Sequence, residues 1–142
     1  MNKTLITALL SLVATTSFAQ MNPEGLWRNM DDKSGEAKAE IRIVATAGTL
    51  NGKVERALVQ STEPTCTACT DDRMNQPKVG MEIIRGARKS ATEVVWEGGK
   101  ILDPENGKEY TLRMTPIEEG KKLQIRGYIG PFYRTQIWTR VQ

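Results

Sequence analysis

Histidine is missing from the 142-residue chain, and its absence limits the chemistry that the side chains can perform. It excludes Ser-His-Asp and Cys-His nucleophilic catalysis, zinc or copper sites with histidine ligands, and pH switching through an imidazole. The adjacent carboxylates Asp71 and Asp72, and likewise Glu118 and Glu119, lie in polar stretches that are typical of solvated loops. Acid–base catalysis needs carboxylates whose burial and geometry separate their pKa values. The sequence therefore predicts no catalytic residues and does not favour an enzyme.

The two cysteines are the most concentrated reactive groups, and they form the C-x-x-C pattern Cys66-Thr67-Ala68-Cys69. A thioredoxin-like redox site needs this pattern at a helix N-terminus after a strand, zinc needs two further ligands, and haem attachment needs histidine at Thr70. In an exported protein a local disulfide is the default. We predict that Cys66 and Cys69 are joined, with no metal and no cofactor. The disulfide would shape Val59–Lys78, a 20-residue stretch without periodicity that is unusually long for a loop.

The N-terminus has the features of a secretory signal peptide. Lys3 precedes the apolar run Leu5–Val13, and Ser17-Phe18-Ala19 supplies small residues at a cleavage site. The run has about half the length of a transmembrane helix, so no transmembrane segment is expected after cleavage. We predict a signal peptide over 1–19 and one domain over 20–142, which is periplasmic or secreted. The net charge of +3 is too small and too scattered to indicate nucleic-acid binding.

The rest of the chain has the alternation of β-strands, and no stretch of ten residues shows helical periodicity. We predict strands at Leu26–Met30, Glu40–Thr46, Asn51–Leu58, Gly80–Arg85, Thr92–Trp96, Gly99–Asp103, Glu109–Thr115, Lys121–Ile129 and Tyr133–Val141. Turn residues separate them, including Gly98-Gly99, Glu119-Gly120 and Gly130-Pro131. Many short strands in succession favour an all-β fold, an antiparallel up-and-down β-barrel of about eight or nine strands, because closure leaves no exposed edge.

The clearest alternation places Leu123, Ile125, Gly127 and Ile129 on one face of a strand, with Arg126 and Tyr128 on the other. Which face points into the barrel depends on the register. If Arg126 and Tyr128 point inward, they form a candidate ligand-binding pair that would hold an acidic head group. If they point outward, they belong to a solvated strand surface.

Several segments together resemble one family of small exported bacterial proteins, domain-of-unknown-function family 2147. They are Gly25-Leu26-Trp27, Asp72–Pro77 with Val79-Gly80-Met81, Trp96–Pro104, Gly107–Tyr110, Arg126–Gly130 and Arg134-Thr135-Gln136 with Trp138–Val141. The resemblance covers nearly the whole predicted mature chain, in order, and implies a lipocalin-like β-barrel. It implies no activity, since none is assigned to the family.

The lipocalin-like interpretation also predicts how one end of the barrel closes. Barrels of this kind resemble one another in a Gly-x-Trp on the first strand and a late basic residue that stacks on the indole. Here Gly25 and Trp27 begin the first strand and Arg140 lies on the last. The alternative is that Trp27 is an ordinary core aromatic residue. The segment Asp31–Lys38 is too short for a helical lid, which argues against a deep, lidded cavity.

Three classes of function remain open. The first is a binding protein whose barrel holds a small apolar or amphipathic ligand. The second is an envelope interaction or structural protein that uses the disulfide-stapled loop Val59–Lys78 as its contact surface. An enzyme is the third. An enclosed apolar cavity would favour the first class, whereas a barrel filled by its own side chains would favour the second.

Overall fold

The fold is a closed, eight-stranded antiparallel β-barrel, seen here in a computed structural model that describes residues 21–142. The strands are β1 (Gly25–Met30), β2 (Ala37–Thr46), β3 (Thr49–Ala57), β4 (Glu82–Lys89), β5 (Trp96–Leu102), β6 (Glu109–Ile117), β7 (Lys122–Ile129) and β8 (Phe132–Arg140). Each strand pairs with the next, and β8 pairs with β1 to close the barrel. The predicted all-β, up-and-down barrel is confirmed.

Helical structure is confined, within residues 21–142, to one 3₁₀ turn at Glu118–Gly120. None of the described residues belongs to a helix that is long and apolar enough to cross a membrane. The predicted signal peptide, residues 1–19, lies outside the described part of the chain.

One predicted strand is wrong, and a pair of glycines explains the error. Residues 91–94 form a bend, and the two predicted strands Thr92–Trp96 and Gly99–Asp103 are replaced by the single strand β5. Gly98-Gly99 is a bulge within β5 rather than a turn, since the pairing with β6 shifts between Glu97 and Lys100. A Cβ on Gly99 would lie 2.5 Å from the carbonyl oxygen of Arg85, so only glycine permits this close approach of β4 and β5.

One half of the barrel is filled by its own side chains. Strand alternation directs Trp27, Met114, Leu123 and Trp138 inward, where all four are 0–1% exposed. The chain termini of the domain and the connections β2–β3, β4–β5 and β6–β7 lie at this end, which we call the closed half. Burial of such large apolar side chains is the main stabilising contribution to a barrel of this size.

The opposite half, the open half, carries the connections β1–β2, β3–β4, β5–β6 and β7–β8. The longest is the β3–β4 connection, residues 58–81, which contains the cysteines. Its two arms pair through an isolated bridge between Thr65 and Pro77, and the Lys78 amide donates to the Pro64 carbonyl at 2.8 Å. The stretch without periodicity is therefore an ordered loop that lies across one side of the barrel mouth.

Candidate functional site

The open half contains a cavity of about 900 Å³. Its inner wall is mainly apolar and includes Ile41, Val54, Ile83, Ile101, Leu102 and Ile125. Its rim carries polar and charged side chains from the β1–β2, β3–β4 and β5–β6 connections and from Arg134 of β8. A volume of several hundred Å³ with apolar walls and a few polar groups is typical of small-molecule sites. The expectation that the short segment Asp31–Lys38 argues against a deep, lidded cavity is therefore wrong in part, because the cavity is large although no helix within residues 21–142 covers it.

The cavity exists because inward-facing side chains become smaller or more polar toward the mouth. On β2 the inward series runs from Ile43 and Ile41 to Ala39, and on β7 it runs from Ile125 to Gly127. Small residues at these positions leave space where the closed half places large apolar side chains. Gly127 also makes room for the neighbouring cavity residue Tyr110, because a Cβ on Gly127 would lie 2.9 Å from the Tyr110 Cβ.

A chain of polar contacts links the rim to the core along β8. Gly127 pairs with Arg134, and Ile125 pairs with Gln136, so both β8 side chains share the inward face. The Arg134 guanidinium forms an ion pair with Asp32 on the β1–β2 loop, and Gln136 Nε2 donates to the same carboxylate at 3.3 Å. Trp138 Nε1 in turn donates to Gln136 Oε1 at 3.0 Å. A tryptophan of the core is thus hydrogen-bonded to a residue that lines the cavity.

Two more ion pairs lie at the rim. Lys78 Nζ, whose side chain is 10% exposed, is 3.2 Å from Glu105 Oε2 on the β5–β6 connection. Lys38 Nζ is 3.8 Å from Asp31 Oδ2. Lys78 thus connects the β3–β4 and β5–β6 connections, and Lys38 of β2 pairs with the β1–β2 connection.

The β3–β4 loop is anchored by a disulfide and by a buried arginine. Cys66 and Cys69 are joined and lie within the hydrophobic core cluster, which confirms the predicted bond. Arg73, 4% exposed, donates to the Glu82 carbonyl oxygen at 2.9 Å and to Glu109 Oε2 at 2.8 Å.

Arg73 also binds Asp71 and sets the charge state of that carboxyl. Its Nε donates to Asp71 Oδ1 at 3.1 Å, and its backbone amide donates to the same oxygen at 2.9 Å. These hydrogen bonds from Arg73 lower the pKa of Asp71 to about 2. Asp72 instead pairs with Arg85 at 2.8 Å. The adjacent carboxylates are therefore parts of two loop-anchoring ion pairs.

Comparison with protein families places this barrel among known sequences. The model of the family described as "Uncharacterized protein conserved in bacteria (DUF2147)" matches residues 25–140, which is most of the chain. The chain belongs to this family.

Among solved structures, this DUF2147 protein is similar to protein HP1028 from the human pathogen Helicobacter pylori, which is described as belonging to the lipocalin family. The TM-score is 0.73 with 15% sequence identity, over 87% of this chain and 85% of that chain. At this identity the likeness establishes the lipocalin-like fold alone. Comparison with curated proteins gives no match.

Within the DUF2147 barrel, the inward orientation considered for Arg126 and Tyr128 is wrong. Both lie on the outer face of β7, because their neighbours Ile125 and Gly127 line the cavity and successive side chains alternate. Arg126 Nε donates to Thr135 Oγ1 at 3.1 Å, and its guanidinium lies 5.0 Å from the ring centroid of Tyr133. The two residues form part of an outer strand surface and cannot clamp a head group inside the barrel.

The barrel end is built from Gly25, Trp27 and Arg140. The Arg140 guanidinium lies 4.2 Å from the Trp27 ring centroid. The two residues lie directly opposite each other in the pairing of β1 with β8. The Arg140 guanidinium also donates to the carbonyl oxygens of Gly120 at 2.6 Å and Glu24 at 2.8 Å. Gly25 has φ +131°, and a Cβ there would lie 2.4 Å from the Gln142 carbonyl oxygen. These contacts cover the closed end of the barrel.

The polar residues of the cavity were missed by reasoning from the sequence. Arg134, Gln136 and Trp138 are every second residue of β8, so they share one face of the strand. Because Trp138 points inward, the other two side chains lie on the inward face as well. That signal was present in the sequence, since a tryptophan is a good marker of the core. Asp32 gives no such signal, because only closure of the barrel between β1 and β8 and the loop conformation bring it to a residue 102 positions away.

Proposed function

We propose that this DUF2147 protein is an exported binding protein that holds the apolar part of a small molecule in the open half of its barrel. The observation that carries the proposal is the cavity of about 900 Å³, with six apolar side chains along its inner wall and its charged side chains at its rim. Burial of apolar ligand surface against such a wall is favourable in proportion to the area removed from water. Family membership and fold are compatible with this function without specifying it.

The β3–β4 loop favours this proposal over a separate contact surface. Pro64, Pro77, Lys78 and Val79 of that loop line the cavity. The disulfide packs in the hydrophobic core cluster, and Arg73 hydrogen-bonds the same loop to β4. The segment considered as a protein-interaction surface thus forms one wall of the site. Its ordered conformation keeps that wall in place for a ligand.

The proposal is tested by titrating the purified barrel with the uncharged fluorophore N-phenyl-1-naphthylamine, whose emission rises in apolar surroundings. We expect saturable binding with a Kd in the micromolar range, about −8 kcal/mol. In the variant Ala39→Trp an indole occupies part of the cavity, and we expect binding at least about tenfold weaker. The matched control is Val44→Trp, because Val44 lies on the same strand, faces outward and is exposed.

Equal loss of binding in both variants would show that the probe does not enter the barrel. An absence of saturable binding in the unaltered protein would overturn the proposal. Export is tested separately, since N-terminal sequencing of the protein from its native host should find Gln20 as the first residue. Finding Met1 on most of the cellular pool would contradict export.

A further inference from the structure

The rim of the cavity carries equal numbers of positive and negative side chains. The cations are Lys33, Lys38, Lys78 and Arg134, and the anions are Asp31, Asp32, Asp103 and Glu105. An acidic head group entering the mouth therefore meets no net positive charge. Its transfer from water costs hydration energy that only a net opposite charge or good hydrogen bonds could offset.

Three of the four cations are already paired with rim carboxylates. Arg134 is bound to Asp32, Lys78 to Glu105 and Lys38 to Asp31. A ligand carboxylate that bound Arg134 would compete with Asp32 for the guanidinium and place a second negative charge beside it. The exchange replaces one ion pair by another and adds a repulsion between like charges.

We infer that the ligand of this cavity has an apolar chain and an uncharged head group, such as an alcohol or an amide. The inference rests on the proposed function and adds the chemical class of the ligand. It replaces the acidic head group that an inward Arg126 would have favoured, because three of the four cations at the rim are already paired with rim carboxylates.

The test compares two ligands with the same chain, dodecan-1-ol and dodecanoate, as competitors of N-phenyl-1-naphthylamine at about pH 8, where the acid is ionised. We expect the alcohol to bind at least about tenfold more tightly than the acid. The variant Asp32→Asn leaves Arg134 without its carboxylate and gives the rim a net positive charge. It should raise the affinity of the acid relative to the alcohol by about tenfold, and Glu105→Gln should act in the same direction.

The matched control is Glu55→Gln, which makes the same change in charge on the outer face, where Glu55 pairs with Arg42 at 2.7 Å. The ratio of the two affinities should not change in this variant. Tighter binding of dodecanoate than of dodecan-1-ol by the unaltered protein would overturn the inference while the proposed function stands. If the fluorophore itself does not bind, the proposed function fails first.

Discussion

The two halves of the barrel are built from the same eight strands but differ in what fills them. In the closed half, Trp27 and Trp138 are almost completely buried, and Arg140 lies over the Trp27 ring and donates to the Gly120 carbonyl oxygen. In the open half, Ala39 and Gly127 occupy inward positions, and a cavity remains. The comparison teaches that a barrel of this size can fill half of its interior with large side chains and keep a cavity in the other half.

The largest expected effect concerns the tryptophan at the base of the closed half. Trp27→Ala should lower the free energy of unfolding by about 3–5 kcal/mol, because it removes a fully buried aromatic side chain. Ile101→Ala in the wall of the open half should cost about 1–2 kcal/mol, since that side chain already borders empty space. Urea denaturation followed by circular dichroism measures both. Equal costs would contradict the division into two halves.

A second comparison uses two arginines that each lie over an aromatic ring. Arg140→Met should cost about 2–4 kcal/mol, because the carbonyl oxygens of Gly120, Glu24 and Asn22 lose a donor. Arg126→Met on the outer face should cost less than about 1 kcal/mol, since its partner Thr135 is exposed to water. Chemical denaturation of the two variants gives the difference. A cost for Arg126→Met as large as that for Arg140→Met would show that the outer strand surface is also structural.

The third prediction concerns the disulfide at the open end. Replacing Cys66 and Cys69 together by Ala should cost roughly 2 kcal/mol or less, because the bond closes only a short loop. The barrel should stay folded, and the fluorophore should bind more weakly because the loop forms one wall of the cavity. Thermal unfolding and the binding titration measure the two effects. Loss of cooperative unfolding would place the loop in the folding core of the whole barrel.

The smallest expected effect is the dependence of stability on pH near Asp71. The pKa of this carboxyl is lowered to about 2 by Arg73, so its contribution is present above the ordinary value of 3.8 and is lost as the pH falls toward 2. Its side chain is 41% exposed, so the loss should remain under about 1 kcal/mol. Asp71→Asn should flatten the stability profile between about pH 4 and pH 2. An unchanged profile in that variant would show that other carboxyls control the acid response.

Much of the architecture could be predicted because strand periodicity is local. The alternation of Leu123, Ile125 and Gly127 identified one face of β7, and the turn at Gly130-Pro131 located the hairpin to β8. The bulge at Gly98-Gly99 could not be distinguished from a turn, since both use glycine and differ only in how the flanking residues pair with β4 and β6.

The sequence by itself determined the all-β class, the cysteine pair and the two residues, Trp27 and Arg140, that meet at the closed end. The first two follow from residue types and from alternation along single strands, and the third was implied by the resemblance to lipocalin-like barrels. The tertiary structure alone decided which face of β7 points inward and that Asp32 pairs with Arg134 of the neighbouring strand β8. The reason is physical, since a shift of one residue in register exchanges the two faces of a strand, and only closure of the barrel selects the register.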